Sequence, residues 1–267
     1  MEKAVPAWLR IFFFVNVLQD LALGSGLIVP ESIPFPLAVT PLNARFIGAL
    51  YLAAAVGMVL SALVRDRRDT RIIVISFGLV SVLVMIVTIL YWADFTARRI
   101  PMLWLVTYTV DPIVTAALVV SWKLWHPAIP GRHALSRLLL AEFVLLGVMG
   151  HFSLLAPGPA VDLWPWKITP LLAQVYGAFL LTFAAGALLA AREARASAIL
   201  PIVASSFALA VLVIVASAQH LPRFVPGAPT WIWFGGFTIA GIALGIGLFV
   251  LLRQGSRLER PAFAEAP

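Results

Sequence analysis

Eight long apolar stretches, separated by short polar segments, are the dominant pattern of the sequence. Each is close to the roughly 20 residues that a helix needs to cross the hydrocarbon core of a bilayer. The predicted spanning helices cover residues 9–28, 42–64, 71–92, 101–122, 137–156, 170–190, 198–218 and 231–252. The pattern therefore predicts an all-α, polytopic membrane protein with eight transmembrane helices.

The first stretch has a second interpretation, as a signal peptide, because Lys3 and Arg10 accompany its start. The apolar region of a signal peptide is usually about 7–15 residues long. Here the stretch is longer and includes Asn16, Gln19 and Asp20. These features favour a packed first helix.

The composition agrees with a membrane protein and narrows its chemistry. Hydrophobic residues make up 62% of the chain, charged residues 12%, and the mean hydropathy is +1.00. A soluble fold of this length cannot hide so much apolar surface. Cysteine is absent, which excludes disulfides, thiolate catalysis and cysteine-ligated metals.

The basic residues indicate membrane orientation. With both termini inside, 14 of the 19 basic residues lie in the predicted cytoplasmic segments, as the positive-inside rule requires. We therefore predict a multi-pass protein of the cell membrane with both termini cytoplasmic. The net charge of +7 then needs no nucleic-acid partner. The expected partner is the lipid bilayer, and other membrane proteins are further candidates.

All nine tryptophans lie near predicted helix ends. This placement is typical of the aromatic belt at the membrane interface. A tryptophan cage around a ligand is the less favoured alternative.

The second half of the sequence repeats features of the first half at an offset of 129 positions. The matched positions are Pro36 and Pro165, Thr40–Leu42 and Thr169–Leu171, Ala44 and Ala173, Gly48–Ala49 and Gly177–Ala178, Gly57 and Gly186, Phe95 and Phe224, Trp104 and Trp233, and Thr109 and Thr238. We predict two parallel four-helix repeats, 1–126 and 127–252, followed by a disordered cytoplasmic tail, 253–267. Two such repeats are expected to be related by an axis along the membrane normal.

The repeated Thr-Pro pair has a local structural explanation. Threonine can cap a free backbone N–H, and proline is well suited to the first helical position. The pattern predicts that helices begin at Pro41 and Pro170. The small residues that follow, spaced four apart, predict close helix packing.

The stretches "PFPLAVTPLNARFIGALYL" and "WPWKITPLLAQVYGAFLL" resemble a W-P-W-x-[LI]-T-P-L-x-A-R-x-x-G-A phrase. That phrase occurs in uncharacterised multi-pass membrane proteins of GC-rich bacteria. The resemblance covers about a sixth of the chain and implies a bacterial inner-membrane protein, with no known activity. The second copy has Gln174 where the phrase has arginine, so any role of that arginine falls to Arg45.

Ionisable groups inside the bilayer are costly and mark candidate sites. Asp20 lies in the first helix, and Asp111, followed by Pro112, lies near the middle of the fourth. We expect the side chain of Arg45 to extend towards Asp20. The predicted ligand or ion cluster consists of Asp20, Arg45, Asp111, Asn16 and Tyr108. The alternative is a structural ion pair that holds these helices together.

Glu142 and His151 are secondary candidates. Glu142 can pair with Arg137 or Lys123, and His151 with His220 could in principle bind haem, although a packing role is favoured for each. No histidine pair has metal-ligand spacing on one helix, so we predict no metal and no cofactor. The glycines of "FGGFTIAGIALGIG" predict a helix contact. The loop "RDRRDTR" predicts a solvated turn or, as a second choice, a lipid-headgroup site.

Three classes of function remain open from the sequence. The favoured class is a non-enzymatic membrane protein that assembles with or stabilises other components. The alternative is a small-molecule or ion/proton-coupled transporter with a site in the first repeat. A membrane enzyme is the third, and the sequence offers almost no catalytic constellation for it.

Overall fold

The computed structural model describes residues 4–30, 36, 39–96, 102–127 and 129–258. In that part of the chain all regular structure is helical, apart from isolated β-bridges. The α-helices are α1 Ala7–Gly24, α2 Pro41–Leu63, α3 Arg71–Leu90, α4 Trp92–Thr96, α5 Met102–Trp122, α6 Ser136–Leu155, α7 Pro157–Leu163, α8 Pro170–Ala190, α9 Ala196–Ala218 and α10 Ala228–Leu258.

Eight of these helices are long and apolar enough to span a membrane, and α4 and α7 are the two short ones. The predicted all-α class with eight spanning helices is confirmed. The last helix continues to Leu258, beyond the boundary predicted at residue 252. Residues 259–267, most of the predicted tail, lie outside the described residues.

Four helices form the centre of the bundle. In the apolar stretch of α8, 89% of the residues are buried, whereas in that of α10 only 17% are. The helices α2 and α9 pack against each other, as do α3 and α8. On the outside, α1 packs on α2, α5 on α3, α6 on α8 and α10 on α9.

These helix pairs match one another at the predicted offset. The indole N–H of Trp104 donates to the Thr88 hydroxyl at 3.2 Å, and that of Trp233 donates to the Ser217 hydroxyl at 3.0 Å. Both members of the second pair lie 129 positions after those of the first. The matched contacts support the predicted repeat, which remains an inference from sequence and packing.

The Thr-Pro pairs begin α2 and α8 as predicted. Thr40 accepts a hydrogen bond from the backbone N–H of Asn43, and Thr169 accepts one from Leu172. In each helix proline stands at the first position, where a backbone N–H would have no partner in the helix.

Glycine brings helix backbones into direct contact just inside both starts. A Cβ atom on Gly48 would lie 2.4 Å from the Leu27 nitrogen and 3.0 Å from the Gly24 carbonyl oxygen. One on Gly177 would lie 2.8 Å from the Gly150 carbonyl oxygen. Only glycine permits such an approach. The predicted packing role of these two residues is confirmed. In α10, Gly241 and Gly245 likewise face Ala210 and Phe207 of α9.

Buried charges join the loop after α2 to the loop after α8. The Arg195 guanidinium lies 3.0 Å from an Asp66 carboxylate oxygen and 3.1 Å from one of Asp69. Glu193 is fully buried and accepts hydrogen bonds from the backbone N–H groups of Ile129, Ala194 and Arg195. The Arg195 contacts hold the two loops together on the predicted cytoplasmic side, and Glu193 connects the loop after α8 to the segment after α5.

The prediction that every tryptophan belongs to the interfacial belt is wrong for four of them. Trp104, Trp164, Trp166 and Trp233 are at most 7% exposed. The last three pack with Phe46 and with one another, with ring centroids 4.9–6.2 Å apart. They form an internal aromatic cluster that joins α2, α10 and the segment before α8.

We predict that Gly48→Ala destabilises the fold by about 1–3 kcal/mol, because overpacking of a tight contact has a cost of this order. The added Cβ meets backbone atoms, which cannot rotate away. Thermal unfolding of the purified protein in detergent measures the effect. The control is Gly158→Ala, since a Cβ there meets nothing within 4 Å. Equal melting temperatures for the two variants would contradict the prediction.

Arg195→Gln is expected to lower the melting temperature at neutral pH by roughly 5 °C. Burial disfavours the charged form of Asp66, but the Arg68 backbone N–H and the Arg195 guanidinium outweigh burial and lower its pKa below 3.8. A lowered folded-state pKa contributes stability above pH 3.8 that is lost as the pH falls through the folded value. The gap between wild type and variant should therefore shrink below about pH 4.

The control for this pH series is Arg192→Gln, which removes an exposed arginine from the same loop. It should melt close to wild type at every pH. A gap for Arg195→Gln that stays constant down to the lowest pH would show that Asp66 is not the partner that matters.

Candidate functional site

A buried polar cluster lies where α1, α2 and α5 meet. We call it the carboxylate cluster, and it comprises Asn16 and Asp20 of α1, Tyr51 of α2, and Tyr108 and Asp111 of α5. Each of these side chains is at most 5% exposed. Four of the five belong to the group predicted from sequence.

Helical spacing places these groups on facing sides. Asn16 and Asp20 are four residues apart and share one face of α1, and Tyr108 and Asp111 are three apart on α5. The helix α5 continues through Pro112. One turn further along, the Thr115 hydroxyl donates to the Asp111 carbonyl oxygen at 2.7 Å.

Hydrogen bonds connect the neutral members of the cluster. The hydroxyl groups of Tyr51 and Tyr108 share a hydrogen bond at 2.5 Å. Asn16 donates to the Phe12 carbonyl oxygen at 3.0 Å, and its side chain lies near the Asp111 carboxylate. Tyr51 and Asn16 thus link α2 and α1 to α5.

The two carboxylates are buried in the same cluster, and no balancing cation lies beside them among the described residues. Asp20 and Asp111 are close enough to interact electrostatically. In each, one carboxylate oxygen is buried without a hydrogen-bond partner. Among the described residues, no ion pair involves either side chain. Two adjacent negative charges are strongly disfavoured at such a site, so the arrangement favours a bound proton or cation.

The predicted approach of Arg45 to Asp20 is wrong. Its guanidinium donates to the Leu27 carbonyl oxygen at 2.6 Å. Leu27 lies seven residues beyond Asp20, about 10 Å further along a helix. Arg45 also lies near His220, whose pKa is lowered by burial, by Arg45 and by Arg223. Arg45 therefore belongs to the end of the bundle where α1 ends and α2 begins, and not to the carboxylate cluster.

Gln174 explains what Arg45 does. Its side-chain amide donates to the Leu154 carbonyl oxygen at 2.7 Å. Leu154 is the last residue but one of α6 and lies next to the Gly177 contact, as Leu27 follows α1 next to the Gly48 contact. Both side chains satisfy a carbonyl group at the C-terminal end of the neighbouring helix. The difference between arginine and glutamine is therefore no sign of a difference in chemistry.

Tyr51 is the member of the cluster that sequence reasoning missed. A buried tyrosine hydroxyl needs a hydrogen-bond partner. The position of Tyr51 in the middle of an apolar helix is therefore the one signal in the sequence that points to a polar contact there. The partner, Tyr108, is 57 positions away in sequence.

The secondary candidates lie elsewhere. Glu142 lies near Ser206 of α9, and one of its carboxylate oxygens is buried without a hydrogen-bond partner. Within the described residues it forms no ion pair with Arg137 or Lys123. His151 is exposed on α6, and its ring hydrogen-bonds the Gly147 carbonyl oxygen at 2.8 Å. In the part of the chain that the structure describes, no three His, Asp or Glu side chains form a potential metal site.

No protein-family model, curated protein or solved structure matches the chain. The eight apolar helices define an integral membrane protein. Any narrower function must be argued from the geometry of its buried groups.

We predict that Arg45→Gln leaves the melting temperature near that of wild type, because Gln174 performs the equivalent task with an amide. Arg45→Leu should cost about 1–3 kcal/mol, since it leaves a buried carbonyl group unpaired. Thermal unfolding in detergent separates the two variants. Gln174→Leu is the matched comparison and should resemble Arg45→Leu. If Arg45→Gln is as unstable as Arg45→Leu, the positive charge itself is required.

Proposed function

We propose that the protein is a small, non-enzymatic, proton-coupled membrane transporter, and that Asp20 and Asp111 together hold the proton. The observation that carries the proposal is the burial of Asp20 and Asp111 in one cluster, without a basic partner among the described residues. An ionised side chain at the centre of a spanning helix costs about 2.5–3.5 kcal/mol on insertion scales. Sharing a proton between the two carboxylates removes part of that cost.

The surroundings of the pair also suit proton exchange. Tyr51, bonded to Tyr108, packs against Phe179 of α8, with ring centroids 4.9 Å apart. Phe179 in turn lines a cavity of about 40 Å³ between the central helices. That volume exceeds the ~10–15 Å³ that one water molecule needs.

This central cavity has polar groups in its wall. Ser76, Thr182 and Ser205 line it, and the Ser76 hydroxyl is buried without a hydrogen-bond partner. A water molecule there would satisfy that group. The cavity thus offers room for a water molecule beside Ser76, with the Phe179 ring between it and Tyr51.

The competing explanation is that the carboxylates serve only to hold α1 and α5 together. Buried polar groups do act in this way between membrane helices. Asparagine is close in shape to a protonated aspartic acid but cannot release a proton. Asp→Asn variants therefore retain the packing and remove the titration.

The test is difference infrared spectroscopy of the reconstituted protein between acid and alkaline pH. Wild type should show a titrating carboxyl C=O band that Asp20→Asn or Asp111→Asn removes, with the fold retained. Proteoliposomes with an entrapped pH dye report proton flux driven by an imposed potential. Wild type should show such a flux, and in the Asp20→Asn and Asp111→Asn variants it should fall to the level of protein-free liposomes. The control is Asp162→Asn, an exposed carboxylate on α7, which should leave both signals unchanged.

Two outcomes would contradict the proposal. If the Asp→Asn variants fail to fold, the pair is structural. If the fold and the infrared band both survive the substitutions, the proton is not held at these residues. A band displaced by added Na⁺ or K⁺ would instead identify the carboxylate cluster as a cation site.

A further inference from the structure

A basic cavity of about 320 Å³ lies at the C-terminal end of α5, beside the short loop that precedes α3. The residues that build its charged and aromatic wall are Arg67, Arg68, Arg71, Trp122, Lys123 and His126. The sequence "RDRRDTR" supplies one side, and the turn after α5 supplies the other. This cavity is separate from the carboxylate cluster, because Trp122 lies 11 residues, about 16 Å along a helix, beyond Asp111.

Arg71 gives the cavity a fixed, buried donor. The residue is only 4% exposed, and its guanidinium Nε donates to the Leu124 carbonyl oxygen at 2.6 Å. One terminal nitrogen, Nη1, is buried without a hydrogen-bond partner and lies 3.9 Å from a Glu193 oxygen. A buried guanidinium nitrogen without a hydrogen bond is costly unless an acceptor binds it.

The positive charge of the cavity is not cancelled by its acidic neighbours. Asp66 and Asp69 are engaged by Arg195 from the other loop, and Glu193 is the one carboxylate that pairs with Arg71 among the described residues. The exposed side chains of Arg68 and Lys123 face the remaining space. Several guanidinium and ammonium groups around one small cavity are the donor set that phosphate prefers.

The backbone at Lys123 is held in an unusual conformation. Its φ angle is +52°, the one positive value among the described residues other than glycine. Such a conformation is unfavourable for lysine and persists only where its surroundings enforce it. Here it turns the chain from the end of α5 back over the cavity, so that Leu124 reaches Arg71 and Lys123 joins the basic wall.

The aromatic neighbours place the cavity at the level of lipid headgroups. Trp122 packs against Trp8 with ring centroids 6.0 Å apart, and Arg67 lies 4.7 Å above the Trp122 ring. Trp8 is 50% exposed on the outer surface of the bundle. Tryptophans in such positions mark the membrane interface. A phosphate bound in the cavity would therefore lie where phospholipid phosphates lie.

We propose that this cavity binds the phosphate group of an anionic phospholipid. Arg71 supplies the buried contact, and Arg68 and Lys123 supply exposed ones. The site is independent of the carboxylate cluster and of the proposed transport, so either proposal can fail without the other.

The experiment is native mass spectrometry and thermal unfolding of the delipidated full-length protein in a neutral detergent. The probes are dioleoyl phosphatidylglycerol, dioleoyl phosphatidylcholine and inorganic phosphate. We expect phosphatidylglycerol to bind and raise the melting temperature, with about tenfold weaker binding of phosphatidylcholine. The Arg68→Gln/Lys123→Gln double variant should weaken phosphatidylglycerol binding by at least about tenfold.

The matched control is Arg137→Gln/Arg192→Gln. It removes the same charge from two exposed residues at the same end of the bundle, one at the start of α6 and one in the loop after α8, and should bind phosphatidylglycerol as wild type does. An equal loss in both double variants would reduce the effect to general electrostatic attraction and overturn the proposal. Saturation by inorganic phosphate with no further gain from lipid would assign the cavity to a free phosphate compound and overturn the lipid assignment.

Discussion

The close backbone contact between Gly48 of α2 and the end of α1 determines how the helices of the first half are arranged. Between helices in lipid there is no hydrophobic driving force comparable to that in water, so close packing and hydrogen bonds set the arrangement. Asp20 lies one turn before Gly24, whose carbonyl oxygen contacts Gly48, and Tyr51 lies about one turn after Gly48. Because α1 and α2 are antiparallel, this contact brings Asp20 and Tyr51 to the same depth. The carboxylate cluster thus depends on a contact that contains no charge.

The same packing recurs in the second half of the chain without the polar groups. At the offset of 129, Tyr51 corresponds to Leu180, Tyr108 to Phe237 and Asp111 to Ala240. The equivalent positions of α8 and α10 are therefore apolar, although Gly177, Thr169 and Gln174 make the contacts that their counterparts make. Packing requirements account for the similarity of the halves, and the buried acids and tyrosines account for their difference.

Sequence patterns predicted the position of each residue along its spanning helix better than they predicted which side chain it contacts. The apolar lengths located all eight spanning helices, and Thr-Pro located the starts of α2 and α8, because these signals are local. The acids Asp20 and Asp111 were found because charge is rare in spanning helices. Arg45 and Tyr51 were misjudged or missed because their partners depend on how each helix is rotated about its axis.

Tryptophan burial shows the same limit. Residues at a helix end lie near the interface, but that position does not say whether the ring faces lipid or a neighbouring helix. Trp231 is 77% exposed and Trp233 4%, two positions apart on one helix. Two residues that are two positions apart lie on different faces of a helix. Only the packing of α10 on α9 decides which of the two rings is buried.

The ion pair of Arg195 with Asp66 has a consequence for how such a chain can assemble. These residues are 129 positions apart, which is the offset of the predicted repeats, so they are matched positions of the two predicted repeats and contact each other. In an association of two identical halves, this position would face its own copy, and like charges would repel. Opposite charges at the two positions therefore favour packing of the first half against the second half. They disfavour packing of either half against another copy of the same half.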